Sequence, residues 1–423
     1  MREFVSPIEE KEFDEFCANS PTNRYTKVTA YGKLRELDGY SYVTCGVKDD
    51  GKLVASALVL YRREWYLPSR FAYVCYGYNM DYSDVELLHF FNQKLCDFCK
   101  DTLHCCFLRV DPDYPIIEHK KNGELLEGGF DHRYMTDVFI EDGFHHLGYN
   151  YGYSGNWMSR FTYILDTTPD LKTIHKNIKN FNAHTRKNEM RCVRVEEGSR
   201  KDIPLLYEAE LDLAKKNKFI PRPKKYFERL MDVYGDNAHI YICKADLTQA
   251  YYNVKQEYER LLALDETKMK AQQQKERLAS LASYEKEIRA MEAEDYEHQG
   301  EKVLGAKLIV QIKGKVSNLN MYTFKILPNF RAAFALHSLV ISECKKRGAE
   351  AYDFEGVSGS LDPNDDYYGL QDFKRSFGGD FIEYAGEFDA VFNEREYKIF
   401  KYVYAHYRAY KRKFYLLLKG WYK

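Results

Sequence analysis

The sequence predicts an α/β (α+β) protein of two related domains, with a helical hairpin inserted in the second domain. A chain of 423 residues is longer than a single hydrophobic core usually supports. Helical segments alternate with β-rich segments in two similar passes along the chain. A long stretch without proline interrupts the second pass. The net charge of −1 does not indicate a charged binding partner, so only local charge clusters can attract nucleic acid or an anionic surface.

The first pass runs through two β-rich segments, "GKLVASALVLYRR" and "FAYVCYGYNM", into a helix and a third strand. The helix lies in "SDVELLHFFNQKLCDFCK", where Ser83 is the predicted N-cap and Glu86 completes a capping box. The strand "CCFLRVDPDYP" follows and ends at Asp111. Functional groups collect at such strand ends in α/β sheets, although Asp-Pro is also a turn signal.

The second pass repeats this order. Strand "RFTYILD" is followed by a basic helix from Asp170 to Arg191, and later helices run from Asp202 to Lys218 and from Pro223 to Tyr234. Strands "AHIYICKA", "KVLGAKLIVQIKG", "SNLNMYTF" and "AYDFEG" follow, with one more helix ending at Gly348. Two passes of the same kind favour two related domains.

The stretch from Asp246 to about Lys302 contains no proline and no glycine before Gly300. Apolar residues in each half recur at steps of three and four, and the middle segment "DETKMKAQQQKE" loses this pattern. We therefore predict two antiparallel helices that form a coiled-coil arm. The stepped residues are Leu247, Tyr251, Val254, Tyr258 and Leu261, then Leu281, Tyr284, Ile288 and Met291.

Cys96 and Cys99 have the spacing of zinc ligands, and His104, Cys105 and Cys106 follow closely. The same residues also fit a helix face and a buried strand, and we favour buried structural thiols, with no metal and no organic cofactor. The chain has no phosphate-binding loop, no dinucleotide fingerprint and no zinc-hydrolase motif.

The N-terminal sequence "MREFVSPIEEKEFDEF" has no signal-peptide pattern, and no apolar run approaches the length of a bilayer crossing. These two observations predict a cytoplasmic protein.

The segment "AYDFEGVSGSLDPNDDYYGLQDFKRSFGGDFIEYAGEFDAVFN" closely resembles the signature of the Fem-type aminoacyltransferases, the FemABX and MurM enzymes that build peptidoglycan cross-bridges. The segments "AYGKLRE", "LRVDPD", "RFTYILD", "HTRKNEMRCVRVEEG" and "PRPKKYFERL" occur in that family's order. The resemblance implies two acetyltransferase-like (GNAT-like) domains. Residues 1–159, completed by 385–423, would form the first, residues 160–384 the second, and residues 246–302 the arm.

The resemblance also implies the activity. Fem-type enzymes transfer an amino acid from aminoacyl-tRNA to an amine on the stem peptide of a peptidoglycan precursor, without a cofactor. Members with the arm act on the lipid-linked precursor, so we expect peripheral contact with the inner membrane surface.

Several residues match the family's functional positions. Lys374 and Phe373 match a Phe-Lys pair beside the tRNA end, where an ammonium can stabilise the tetrahedral oxyanion and a ring can stack on adenine. Asp111 matches an acid that accepts a proton from the attacking amine or orients it. The remaining matches concern precursor binding: Lys33 or Arg35, Arg222, Tyr226, and Tyr322, which lies farther along its strand than the family's tyrosine because Asn318 and Asn320 precede it.

Two basic regions are candidates for holding anions. The first is the helix with Lys176, Lys179, Arg186 and Lys187, followed by Arg191 and Arg194, and we favour tRNA binding there. The second is the tail from Glu394 to Lys423, where lysines and arginines alternate with tyrosines, and we favour anionic lipid headgroups there.

Two other functions stay open from the sequence. One is an N-acyltransferase of the same fold that uses acyl-coenzyme A, although "PNFRAAFALH" has Ala332, Ala333 and Ala335 where glycines would suit a pyrophosphate. The other is a non-catalytic adaptor that assembles partners through the arm. Whether the chain forms a homo-oligomer also stays open.

Overall fold

The computed structural model describes residues 1–153 and 157–421. This part of the chain forms two sheets, one of seven strands and one of eight. Residues 422 and 423, the end of the predicted tail, lie outside the described residues. Among the helices that are described, none is both long enough and apolar enough to cross a membrane.

The first sheet has the strand order β1-β2-β3-β4-β5-β15-β7. Its strands are β1 Arg2–Val5, β2 Ser41–Asp49, β3 Lys52–Arg63, β4 Arg70–Val74, β5 Cys105–Val110, β7 Phe144–His146 and β15 Phe388–Val391. The pairing of β15 with β5 brings a strand from the predicted tail region, 385–423, into the first sheet.

The second sheet has the order β6-β14-β8-β13-β12-β11-β10-β9. Its strands are β6 Pro115–Glu118, β8 Phe161–Asp166, β9 Val193–Glu197, β10 Ala238–Asp246, β11 Glu301–Ile312, β12 Lys315–Thr323, β13 Ala351–Asp353 and β14 Asp380–Tyr384. β6 comes from within residues 1–159 yet pairs with β14 of this sheet.

The two sheets share one pattern of strand directions. In each, four strands pair antiparallel, the next pair is parallel, and the remaining strands are again antiparallel. The parallel pairs are β4 with β5 and β12 with β13. One helix lies between the strands of each pair in sequence, α3 Val85–Asp97 in the first sheet and α11 Ala332–Lys346 in the second. The two passes predicted from the sequence are therefore two matching sheets.

The remaining helices pack around these sheets. They are α1 Glu10–Asn19, α2 Thr29–Arg35, α4 Tyr134–Glu141, α5 Leu171–Asn177, α6 Phe181–Met190, α7 Ile203–Asn217, α8 Lys224–Tyr234, α9 Leu247–Leu262, α10 Ala271–Ala293, α12 Tyr368–Arg375 and α13 Glu394–Leu418. One apolar cluster joins Phe13 and Leu34 of α1 and α2 to Leu230 of α8 and Leu308 of β11. The two halves of the chain therefore share a buried apolar interface.

Helices α9 and α10 form the predicted hairpin between β10 and β11. The Tyr251 hydroxyl donates to Glu292 at 3.0 Å and Arg277 Nε donates to the Leu261 carbonyl at 2.6 Å, so the helices run antiparallel. Arg191 of the second domain binds Glu287 of α10 through two hydrogen bonds of 2.6 and 2.7 Å. Knobs-into-holes packing of a coiled coil stays a prediction.

Two sequence expectations are wrong in detail. The basic helix from Asp170 to Arg191 is two helices, α5 and α6, because Asn180 adopts a left-handed conformation with φ of +57°. The N-cap of α3 is Asp84, whose side chain accepts from the Leu87 amide, and Ser83 instead donates to Asp81. Aspartate and serine are equally good N-caps, and here the Ser83 hydroxyl is already engaged with Asp81.

Candidate functional site

Lys374 lies in the last turn of α12 and is 8% exposed. Its Nζ donates to the carbonyl oxygens of Glu355 and Gly356, both at 2.8 Å. Burial lowers the pKa of Lys374 to about 8, and the carboxylates of Glu355 and Asp353 act in the opposite direction. An ammonium has three N–H donors, so one donor is left for a reacting group while two fix its orientation.

The loop after β13 has the shape that lets its carbonyls reach Lys374. Glu355 is in the left-handed region, with φ of +59°. Gln371, one turn before Lys374, accepts from the Gly359 amide at 3.0 Å and donates to the Ser360 carbonyl at 2.9 Å. A Cβ at Gly359 would lie 2.3 Å from the Phe161 ring, so a larger residue would displace this loop.

Phe373 is half-buried against two rings, Phe377 at 5.3 Å and His337 at 5.6 Å between centroids. His337 Nδ1 lies 2.6 Å from the Nζ of Lys307, and both side chains are buried. Burial lowers the pKa of both groups well below their usual ranges. Nothing in the apolar segments around Lys307 and His337 marks them in the sequence, and this pair beneath Phe373 was not predicted.

A buried ion cluster joins the two halves of the chain beside this loop. Arg24 pairs with Asp353 at 2.5 Å and with Glu355 at 3.2 Å. Its guanidinium lies 3.7 Å from the ring centroid of Tyr76 and also donates to the Tyr384 hydroxyl at 3.3 Å. Arg24 was not predicted either, because it lies in the turn "PTNRYTK" without any motif.

Asp111 lies just beyond β5 and is 5% exposed. Its two oxygens accept from the Tyr73 hydroxyl at 2.8 Å and from the Tyr76 amide at 2.7 Å. Burial and the neighbouring Glu387 raise the pKa of Asp111 well above its usual range. The adjoining cavity is only about 10 Å³, which is room for one water at most.

Arg222 lines an open pocket just before α8. Its guanidinium lies 4.9 Å from the centroid of the Tyr226 ring, in the first turn of that helix, and makes no ion pair within the described residues. Tyr322 shares this cavity of about 370 Å³, where its hydroxyl donates to Glu210 and accepts from the Asn320 amide. The pocket therefore offers one unpaired cation and several hydrogen-bonding groups.

The two cations of α2 have different surroundings. Lys33 Nζ pairs with Glu10 at 2.6 Å on the exposed side of the helix. The Arg35 guanidinium lies over the Tyr31 and Tyr40 rings at 5.7 and 5.0 Å. Arg35 Nε also pairs with Asp38 at 3.4 Å, so each cation of α2 has an acidic partner.

Tyr25 links helices α2 and α8. Its ring contacts Tyr31 of α2 edge-on at 5.7 Å and Tyr234 of α8 at 6.3 Å between centroids. The Tyr234 hydroxyl also donates to the Tyr25 carbonyl at 2.7 Å.

The predicted tRNA-binding residues lie next to the Phe-Lys motif. The Lys179 amide donates to the Ser376 carbonyl at 2.8 Å, and a Cβ at Gly378 would lie 2.8 Å from the Asn177 carbonyl oxygen. Lys176, Lys179 and Arg186 are exposed, and their side chains bind no described acid. Lys187 is partly buried near Arg331, a further exposed cation that was not predicted.

The neighbouring Arg191 and Arg194 do not belong to this group of exposed cations. Arg191 is buried against Glu287, and Arg194 pairs with Glu301. Both cations are therefore already neutralised by acids of the protein.

A cavity of about 750 Å³ lies beside the loop after β13, whose carbonyl oxygens bind Lys374. It is lined by Gly359 and Leu361 of that loop and by the aromatic rings of Tyr151, Phe161 and Phe381. The cavity and Lys374 therefore contact the same loop, the cavity at residues 359–361 and Lys374 at Glu355 and Gly356.

The cysteines proposed as alternative zinc ligands are packed as apolar side chains. Burial raises the pKa of Cys96, Cys105 and Cys106 to about 12, and Cys99 is fully buried. In residues 1–153 and 157–421, no group of three or more His, Cys, Asp or Glu is arranged to hold a metal ion.

Comparison with known proteins gives the family. A family model described as the FemAB family matches residues 8–405, and the chain belongs to this family. Aminoacyltransferase FemA of Staphylococcus aureus (strain N315) is 24% identical over 417 residues, covering 95% of this chain and 97% of FemA. The crystal structure of FemX has the same fold, with a TM-score of 0.73, 22% identity and coverage of 94% of this chain and 99% of FemX.

Proposed function

We propose that this protein transfers an amino acid from aminoacyl-tRNA to an amine on the stem peptide of a lipid-linked peptidoglycan precursor. Membership of the FemAB family and the likeness to FemA over nearly the whole chain support an aminoacyl transfer. Each sheet, with its single parallel pair, would be one acetyltransferase-like domain.

The placement of Lys374 carries the proposal. In the transfer, the acceptor nitrogen bonds to the ester carbon, an oxyanion forms, and the bond to the terminal ribose oxygen then breaks. The nitrogen loses a proton and the ribose oxygen gains one. An ammonium held by two carbonyls, with one N–H remaining, stabilises the oxyanion more than the neutral ester.

The donor would approach over α5 and α6. Lys176, Lys179, Arg186 and Lys187 would bind RNA phosphates next to the Phe-Lys motif, and Phe373 would contact the terminal adenine. The 750 Å³ cavity beside the loop after β13 has the size and the aromatic lining that suit a nucleoside.

The acceptor would bind in the pocket of Arg222 and Tyr322, where Tyr226 contacts Arg222, and Arg35 of α2 would be a further contact. An exposed guanidinium without a protein partner suits the precursor diphosphate, which it can bind through two hydrogen bonds. Lys33 and Arg35 both pair with acids, Glu10 and Asp38, and Arg35 is the better suited because a guanidinium can bind the diphosphate through two hydrogen bonds. Asp111 would hold the backbone of Tyr76, whose ring contacts the Arg24 guanidinium. That Asp111 accepts a proton from the attacking amine is a separate hypothesis, which the D111N variant tests.

The reaction would take place at the inner face of the cell membrane, because the acceptor is anchored there by its lipid. The α9–α10 arm would be a coiled coil, and self-association through it is a further hypothesis. No metal or organic cofactor is needed, since the donor ester is already activated and the amine is itself a nucleophile.

The test uses the purified full chain, labelled aminoacyl-tRNA and a soluble muramyl pentapeptide acceptor, with products measured by mass spectrometry. We expect a muropeptide longer by one residue, and no product when ribonuclease is added first. Product made from acyl-coenzyme A with ribonuclease present would identify the other acyl donor. No lengthened product with either donor would overturn the proposed function.

A second arm of the test addresses the adaptor. Residues 260–283, the outer part of the arm, are replaced by a short turn, because Leu247, Tyr251 and Met291 nearer the sheet are buried in the core. We expect the shortened enzyme to keep measurable turnover on the soluble acceptor. Complete loss of function in a folded, shortened protein would favour the adaptor.

A further inference from the structure

The last helix, α13, presents a long basic and aromatic surface. Between Tyr397 and Trp421 the sequence contains seven lysines and arginines and no acidic residue. With 25 residues, α13 is about 37 Å long at 1.5 Å per residue. Lys401, Arg408, Lys411 and Arg412 are exposed and form no ion pair with any acid in the described part of the chain.

One face of α13 holds the helix to the body of the protein. Phe400 packs against Phe107 at 4.7 Å and Phe71 at 5.1 Å, and Tyr404 packs against Trp157 at 5.7 Å. At the other end Leu416 is buried, and Lys218 donates to the Trp421 carbonyl. The helix is therefore fixed at both ends.

A second side of α13 is rich in exposed apolar and aromatic residues. At 3.6 residues per turn, positions 399, 402, 410, 414, 417 and 418 fall within one half of the helix circumference. Tyr410 is 69% exposed and Leu418 is 71% exposed. The residues of this exposed stripe are Ile399, Tyr402, Tyr410, Phe414, Leu417 and Leu418.

Trp65 extends the stripe onto the body of the protein. It lies between β3 and β4, is 76% exposed, and contacts Tyr407 of α13 edge-on at 6.5 Å. An exposed tryptophan beside an exposed aromatic stripe is the composition of a protein that lies at a bilayer interface.

We propose that α13 and Trp65 form a surface that docks on an anionic lipid bilayer. The helix lies in the plane of the headgroups, its lysines and arginines bind lipid phosphates, and Phe414, Leu417 and Leu418 enter the acyl boundary. RNA phosphates would satisfy the same cations, but they give no reason to expose leucine and phenylalanine. The biological purpose of this docking rests on the proposed function, because a lipid-linked acceptor lies in that plane.

The test measures binding of the full chain to sedimented vesicles of phosphatidylcholine, with and without phosphatidylglycerol. We expect binding only when phosphatidylglycerol is present. K411E/R412E removes attraction to the headgroups, and F414S/L417S removes apolar contact, so each should lower the partition coefficient by at least about tenfold. K275E/K286E, two exposed lysines of α10, is the matched control and should bind as the unaltered chain does.

Two further measurements separate the outcomes. Turnover on the soluble acceptor should be unchanged in K411E/R412E, so a chain that binds vesicles but never turns over refutes the proposed function and leaves the docking surface standing. The same variants are titrated with uncharged tRNA without lipid. Vesicle binding that both variants leave unchanged, or a variant effect on tRNA binding alone, would overturn the lipid assignment.

Discussion

The ends of the two parallel strand pairs differ although the sheets around them match. Beyond β5, Asp111 is enclosed by Tyr73 and Tyr76, with both its oxygens occupied. Beyond β13, Asp353 and Glu355 are bound by Arg24, and the loop carbonyls hold an ammonium in place. One sheet thus ends at an enclosed acid and the other at a cation held by two carbonyls, so the same strand arrangement carries side chains of opposite acid–base character at the two ends.

The largest expected effect is on the free energy of unfolding and comes from Arg24, which joins Asp353 and Glu355 to the first half of the chain. R24Q leaves Asp353 and Glu355 buried without their cation, and removing one partner of such a cluster costs about 3–5 kcal/mol. Urea unfolding measures this loss. R63Q, an exposed arginine of β3, is the control. A loss below about 1 kcal/mol in R24Q would mean that the cluster does not join the two halves.

Lys374 gives the next largest effect. K374M removes the ammonium aimed at the oxyanion, and turnover should fall by about a hundredfold, comparable to loss of one oxyanion donor. Single-turnover rates with saturating donor and acceptor measure it, and circular dichroism checks folding. K52M, an exposed lysine of the first sheet, should keep full activity. Undiminished turnover in folded K374M would remove Lys374 from the reaction.

The pH dependence of the transfer rate is a second test of the role assigned to Lys374. Burial lowers the pKa of Lys374 to about 8, so its charge is present below pH 8 and is lost as the pH rises through 8. The rate should fall with this loss once the acceptor amine is saturating. In K374R the guanidinium stays charged, so any remaining activity should not fall at this pH. An identical alkaline fall in K374R would assign the titration to another group.

Asp111 gives the smallest effect on turnover. D111N keeps the size of the side chain but offers one oxygen where two donors need acceptors, so stability should fall by about 1–3 kcal/mol. Because Asp111 is enclosed, we expect turnover to fall by less than tenfold. A hundredfold loss with stability intact would instead make Asp111 a proton acceptor and would render the two strand ends chemically equivalent.

The sequence predicts the elements that depend on local pattern. The alternating patterns predict the helices and strands of the two sheets, and the apolar residues at steps of three and four predict helices α9 and α10. The motif around Lys374 indicated the cation, because its residue types are specific. Arg24 and the Lys307–His337 pair carry no such signal, since their partners lie far away in sequence and are brought close only by the fold. The break between α5 and α6 depends on Asn180 and on Gly378 packing against Asn177, and a helical pattern does not reveal either.

The arm begins and ends at one residue pair of the second sheet, where the end of β10 pairs with the start of β11. Asp246 faces Glu301 across β10 and β11, and the Leu247 amide donates to the Gly300 carbonyl at 2.8 Å. The base of the arm is built into the core beside this sheet, because Leu247, Tyr251 and Met291 are buried there. Changes of length or sequence therefore fit best at the tip, around residues 263–270, where most side chains are exposed.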